Sequence, residues 1–258
     1  RGGQGAAVKS AVREEYREAA AARSAHWWMR GRQDIFARVL DELVALPEQA
    51  RILDVGPGHG VNLSLFHHRG RLCVLDSDQG SLDSCQVLGA KDLVRGDAQR
   101  LPFGDATMDL VSALDVIEHL DDDLLALREC CRVLKPGGWL LLTVPALHLL
   151  WGRQDVLSEH RRRYRRRQLR ECLATAGFEV KRLTYFNTLL FPPILMVRLL
   201  MRPLLGRTVR NGRSDFSFPL PLGLNGLLHR LFAAEAWWLV KSDLPIGVSL
   251  LALARPRG

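Results

Sequence analysis

The run Arg51-Ile52-Leu53-Asp54-Val55-Gly56-Pro57-Gly58-His59-Gly60 joins an apolar, partly β-branched stretch to glycines at every second position. It predicts a strand feeding a tight turn, with Gly58 and Gly60 bare so that a ligand can lie against the backbone before a helix begins. A second apolar run, Leu72-Cys73-Val74-Leu75-Asp76, ends in a carboxylate about 20 residues past Gly56, where an acid would hold a ribose hydroxyl pair. Together the two runs point to a nucleotide-like cofactor, although a strand, glycine turn and helix also occur as plain connection chemistry.

Three further segments follow in order. They are Gly96-Asp97-Ala98-Gln99-Arg100-Leu101-Pro102-Phe103, the stretch Met108 to Leu120 with Asp115-Val116-Ile117-Glu118-His119 at its end, and Arg132 to Thr143 around Pro136-Gly137-Gly138. With them, residues 50–185 resemble a class I S-adenosylmethionine-dependent methyltransferase of the type 11-like small-molecule group. A nicotinamide dehydrogenase wants Gly-x-Gly-x-x-Gly, but here Val61 takes the last place and Gly60 comes one residue early.

The resemblance implies S-adenosylmethionine as cofactor and gives roles to named residues. Asp54, Gly56, Gly58 and Gly60 would line its methionine and ribose portion. Asp76 would accept both ribose hydroxyls, and Asp97 with the Ala98 N–H would take the adenine. Ser77 and Leu114, at the ends of two strands, complete the implied set. Upstream, His26-Trp27-Trp28-Met29-Arg30-Gly31-Arg32 resembles a His-Trp-Trp-aromatic-Arg-Gly-Arg signature of one bacterial branch, with Met29 departing from the aromatic. Arg32 or Arg30 could there bind the cofactor's carboxylate in bidentate fashion; the tryptophans equally suit a hydrophobic staple.

Transfer to an oxygen or nitrogen also requires that a proton leave, so a base is sought past the fourth strand. His119 is the best-placed titrating group and Asp115 the next, while Glu118-His119 also suits a structural turn. His160 and Tyr164 lie in Ser158-Glu159-His160-Arg161-Arg162-Arg163-Tyr164-Arg165-Arg166-Arg167, in the region that contacts acceptors in this family. Six arginines in seven positions read either as a solvated basic face or as an anion site. No metal centre is assigned. An acid-x-x-Glu-His motif holds Mg²⁺ in some related enzymes, and Asp115, Glu118, His119 and His160 could do so only if they converge.

These groups need a scaffold. Alternating patterns predict strands at 51–55, 71–75, 92–95, 109–114, 138–144 and 178–185, and helices at 60–68, 79–88, 121–134 and 167–176. Residues 10–46 read as helical in two pieces broken near Arg30-Gly31. The alternation predicts a parallel sheet covered on both faces, with ligands at the carboxyl ends of its strands. The resemblance makes this an α/β Rossmann-like seven-stranded methyltransferase sheet, with residues 245–254 as the antiparallel seventh strand. About sixty residues separate the last two strands, where a short connection would suffice. The expected organisation is a helical segment at 1–46 covering the cofactor, a core at 47–187 and 243–258, and an apolar helical cap at 188–242. Pro192-Pro193, Arg198 and Arg202 interrupt the cap's apolar run too often for a membrane span. Phe191, Leu195, Trp237 and Trp238 are expected to line its apolar side, over the acceptor.

At 258 residues the chain can bury one large core, and its net charge of +8 is a modest push toward anionic partners. The five cysteines form no Cys-x-x-Cys pair and read as reduced, as in the cytoplasm. Residues 1–7 read as a frayed tail, without a signal-peptide pattern. The expected function is methyl transfer to an oxygen or nitrogen of a small amphipathic acceptor, anionic or lipid-linked, with peripheral membrane contact open. The alternatives are a nucleic-acid methyltransferase, for which no separate binding module is evident, and a cofactor-binding protein that does not methylate.

Overall fold

In the computed structural model the described residues are 24–201 and 221–257, together with 14, 18, 21 and 22. Strands β1 (Ala50–Val55), β2 (Gly70–Asp76), β3 (Asp92–Arg95), β4 (Met108–Leu114), β5 (Leu134–Pro145) and β6 (Phe178–Phe186) run in one direction, and β7 (Ser249–Pro256) pairs antiparallel with both β5 and β6. The sheet order is β3-β2-β1-β4-β5-β7-β6, so β7 slots between β5 and β6.

Alternation along the strands sorts the core into two layers. Leu140, Leu142 and Val144 face one way with Leu250 and Ala252, against helices α3 (Asp123–Val133) and α5 (Arg166–Thr175). Leu141, Leu251 and Leu253 face the other way, against α1 (Trp27–Leu43), α7 (Leu222–Ala234) and α8 (Ala236–Leu239). The remaining helices are α2 (Gln79–Val87), α4 (Arg153–Leu157) and α6 (Phe191–Met201).

Two expected elements come out differently. The helix expected at 60–68 is a 3₁₀ turn at Leu63–Leu65 within a run of i→i+3 bonds, including Leu63 N to Gly60 O and Phe66 N to Leu63 O. The connection must run back along the length of β1, since Ala50 pairs with Gly70. The break expected near Arg30-Gly31 is also absent, and α1 runs straight through it. Gly31 serves packing instead, since a Cβ there would lie 2.4 Å from Cδ1 of Phe232.

Helix α7 is latched to α1 by polar contacts. The Trp27 N–H donates to Asn225 Oδ1 (2.9 Å), Asn225 Nδ2 donates to the Ala25 carbonyl (3.0 Å), and His229 Nε2 meets Asp34 Oδ2 at 2.6 Å. Helix α6 starts where Glu235 Oε1 accepts the Leu189 N–H at 2.7 Å. Phe191 is buried with Leu150 and Val248, and Leu195 packs at the edge of that cluster. Trp237 and Trp238 are corrected: they are 58% and 50% exposed on α8, with the Arg38 guanidinium 3.5 Å above the Trp237 ring. Within the expected cap, the polar, basic stretch 207–215 lies outside the described residues, as do residues 1–13. No helix among the described residues is long and apolar enough to cross a membrane.

Candidate functional site

The carboxyl ends of β1, β2 and β4 meet at the glycine turn. Gly56, Gly58 and Gly60 all have positive φ, at 63°, 53° and 75°. A Cβ on Gly58 would meet nothing within 4 Å, so this glycine opens onto a cradle that a ligand can enter. Gly60 serves packing, because its Cβ would lie 2.9 Å from Leu88 and 3.0 Å from Leu63. Asp76 closes the cradle, with Oδ2 accepting the Gly58 N–H at 3.4 Å and Oδ1 the Asp78 N–H at 2.9 Å. Asp54 is fully buried beneath the turn, where the Ser112 hydroxyl donates to it. Burial pushes its pKa up to about 7 against that hydrogen bond, and the charge of Asp76 adds to the rise. Asp97 is exposed and folds its own loop, Oδ1 accepting the Gln99 N–H at 2.8 Å, beside a half-buried Ala98. Ser77 is exposed and Leu114 is buried in the α1-facing core. A backbone-lined cradle flanked by acids fits the cofactor that the sequence implies.

The acceptor side abuts this turn, since a Cβ on Gly56 would strike Val116 at 2.7 Å. Asp115 leaves β4 with φ +60°, a conformation that Asp tolerates better than most residues. Its Oδ1 accepts the Thr143 hydroxyl at 2.9 Å, while Oδ2 is paired with Arg32, whose Nη2 also donates to Thr143 Oγ1 at 3.2 Å. Arg32, expected on the cofactor's carboxylate, is therefore engaged with Asp115. Both Asp115 oxygens are thereby occupied by donors.

Beyond Asp115, the His119 and His160 rings meet edge to face at 4.8 Å. Burial, reinforced by the neighbouring His160, holds His119 below the ordinary histidine value of 6.5. His160 Nδ1 lies 2.9 Å from Asp155 Oδ1, leaving Nε2 3.9 Å from Glu118 Oε1. Burial alone would raise the Asp155 pKa, but hydrogen bonds from His160 and Arg163 hold it down at about 2. Glu118 is fully buried and neither of its oxygens has a hydrogen-bond partner. Burial, with the charge of Asp115, raises its pKa well above the carboxylate range. Ligand atoms of Glu118, His119 and His160 all lie within 4.8 Å of one another, so three of the four possible metal ligands converge while Asp115 turns to Arg32.

Asp115, His119 and His160 line a cavity of about 760 Å³. Its apolar wall includes Trp27, Trp28, Ile194, Val197, Leu228 and Val248, so the start of α1 together with α6 and α7 encloses the space over the strand ends. Tyr164 does not reach it. The ring is fully buried and its hydroxyl donates to Asp123 Oδ2 at 2.6 Å, which with burial raises its pKa. Most of the arginine run is also occupied. Arg161 Nε donates to the His119 carbonyl (2.8 Å), Arg162 Nη2 to the carbonyls of Leu120 (2.9 Å) and Asp121 (3.0 Å), and Arg163 Nε to Asp155 (2.7 Å). Arg161 and Arg162 tie the loop after β5 to the loop after β4, while Arg163 braces the loop after β5 itself and is the one of the three that also lines the cavity. Sequence reasoning missed Arg153, a buried cavity residue with no sequence signal beyond its place after β5.

Residues 53–142 match the family described as a methyltransferase domain. The chain is 31% identical over 160 residues to a "Probable S-adenosylmethionine-dependent methyltransferase" of Mycolicibacterium smegmatis, covering 60% of this chain and 61% of that one. It is 32% identical over 153 residues to a malonyl-[acyl-carrier protein] O-methyltransferase of Methylococcus capsulatus, covering 53% and 54%. The chain thus spans about three fifths of these curated relatives or less. In fold it is similar to an S-adenosylmethionine dependent methyltransferase from Mesorhizobium loti, with TM-score 0.52, 17% identity and coverage of 81% and 93%. It is also similar to the [4+2]-cyclase SpnF, with TM-score 0.57, 20% identity and coverage of 88% and 82%.

Proposed function

We propose that this chain is a class I S-adenosylmethionine-dependent methyltransferase that transfers a methyl group to an oxygen or nitrogen of a small amphipathic acceptor. The observation that carries this reading is the apolar cavity that opens onto Asp115 and His119, on the loop whose Val116 lies against Gly56 of the glycine turn. Gly56, Gly58, Asp54, Asp76, Asp97 and Ala98 would hold the cofactor. When bound, S-adenosylmethionine supplies an electrophilic methyl on a sulfonium centre. The residues of the chain then align the acceptor and exclude water, which together can lower the barrier by up to ~7–11 kcal/mol in favourable cases.

His119 takes the acceptor's proton on an imidazole nitrogen, since its depressed pKa keeps the ring neutral near pH 7. His160 suits this less, because its Nδ1 is engaged by Asp155. The relative named for malonyl-[acyl-carrier protein] supports an oxygen acceptor joined to a larger carrier. The outer face of α6 and α7 exposes Met196, Leu200, Leu224 and Leu227, which supports contact with a lipid surface; flotation with anionic liposomes tests it.

Calorimetry with S-adenosylmethionine on the wild type and on Asp76→Ala tests the core of the proposal. Binding by the wild type that is largely lost in the variant supports it, and equal affinities oppose it. Release of demethylated cofactor with a panel of amphiphilic alcohols, acids and amines then separates a methyltransferase from a protein that only binds, a distinction the fold cannot make, since a cyclase shares it.

A second reading has its own observation. A fully buried Glu118 with two unpartnered oxygens, beside a His160 oriented by Asp155, is the arrangement in which a carboxylate steers a histidine onto a cation. Glu118, His119 and His160 would then hold a divalent ion that orients the acceptor oxygen.

A further inference from the structure

One charged group in the cavity is left without a counterpart by the site described above. Arg153, the first residue of α4, is only 8% exposed and lines the cavity. Its Nε and Nη2 are buried and have no hydrogen-bond partner. Two other guanidiniums of the cavity are matched: Arg32 pairs with Asp115 and Arg163 with Asp155. Arg198 of α6 approaches the same edge, its guanidinium lying against Gly152, the neighbour of Arg153.

A guanidinium cannot shed its proton to escape burial, so an unmatched one is costly unless a ligand supplies the charge. From this we infer that Arg153 is an anion anchor. It binds a carboxylate or phosphate on the acceptor through the paired N–H geometry that arginine offers to planar or multi-oxygen anions. The tryptophans and aliphatic side chains of the remaining wall take an apolar chain attached to that anion. The acceptor is thus an anionic amphiphile whose charged group and methylated atom occupy different parts of one cavity. This rests on reading the cavity as the acceptor pocket, and it assigns the charge to a residue outside the arginine-rich run.

Calorimetric titration of the full chain with decanoate, decyl phosphate and uncharged decanol tests the assignment. The wild type is expected to bind at least one of the anions about tenfold or more tightly than decanol, the factor expected for a charge-assisted hydrogen bond. The stronger of the two identifies carboxylate or phosphate as the natural group. Arg153→Met should bind anion and alcohol alike, while Arg153→Lys keeps a preference. The melting temperature of Arg153→Met should stay at or above that of the wild type, because the variant removes an unmatched buried charge. Arg153→Gln answers the same question if the methionine variant does not fold. A wild type without preference, or an unchanged preference in both neutral variants, overturns the inference. So does loss of S-adenosylmethionine binding in Arg153→Lys and both neutral variants, which would give Arg153 to the cofactor's carboxylate. Failure of the methyltransferase reading appears separately, as a wild type that prefers the anion and binds no cofactor.

Discussion

Replacing Gly58 by valine separates folding from cofactor binding more cleanly than any other change at the turn. The residue sits at φ +53°, where an L side chain costs about 1–2 kcal/mol, toward the upper end for a β-branched one. No packing penalty adds to this, because a Cβ there has nothing within 4 Å. A chain of this size loses roughly 2–4 °C of melting temperature per kcal/mol, so Gly58→Val should melt about 2–8 °C below the wild type and remain folded. The same side chain fills the cradle and lifts the cofactor off the backbone. Losing two charge-assisted hydrogen bonds at about 1.5–3 kcal/mol each weakens binding by a hundredfold or more. Gly60→Ala should behave in the opposite way. It adds contacts of 2.9 and 3.0 Å to Leu88 and Leu63 on top of φ +75°, so overpacking of about 1–3 kcal/mol destabilises the fold. Differential scanning calorimetry and titration with S-adenosylmethionine read the two quantities. A Gly58→Val protein that binds the cofactor within twofold of the wild type would refute its placement along this turn.

His119→Ala should lower turnover about a hundredfold or more, and in the wild type the rate should fall with acid only below pH 6.5, as the depressed pKa is crossed; turnover within twofold of wild type across pH 6–9 would make the ring structural. Dialysis against a chelator should leave activity intact if His119 is the base, whereas activity that is lost and then restored by a divalent cation establishes the second reading. Under the cation reading Glu118→Gln also loses that response; under the base reading it costs little stability, because burial already disfavours the charged form of this acid. Asp54 makes stability depend on pH: its folded pKa of about 7 lies above the unfolded 3.8, so the native state holds a proton that the unfolded chain releases, and stability falls as pH rises through this window, by up to about 4 kcal/mol. Asp54→Asn should flatten that slope in urea titrations at pH 4–7, and an unchanged slope would place the titration elsewhere.

The sheet was legible because its signals are local. Each apolar run between residues 50 and 186 became a strand within a few residues of its expected limits, and the acids at the strand ends arrived where a parallel sheet puts them. The misses came from constraints that a local pattern does not carry. Residues 60–68 have helical composition, but only Leu63–Leu65 forms a helical turn, of the 3₁₀ kind. Gly31 reads as a breaker until Phe232, some two hundred residues away, is seen lying against it. The arginine run has the composition of an anion site, yet most of its guanidiniums end on carbonyls and acids of the protein itself. Tyr164 likewise ends on Asp123.

The same contrast runs through the site and indicates where specificity resides. The methyltransferase-domain match covers residues 53–142, which contain the glycine turn, Asp76, Asp97 and the Asp115–His119 loop. Of the residues that line the cavity, only Asp115 and His119 lie inside that stretch. The wall comes from the start of α1, the loop after β5, helices α6 and α7, and the start of β7, which the topology brings together over the strand ends. Cofactor chemistry is therefore concentrated in one contiguous segment and can be read from order and spacing. Acceptor chemistry is distributed over five segments that meet only in the folded chain. Exchanging α6 and its flanking turns between relatives should accordingly change which acceptor is used while leaving cofactor affinity within a few-fold, because helix α6 contacts the cavity wall and none of the acids that flank the glycine turn.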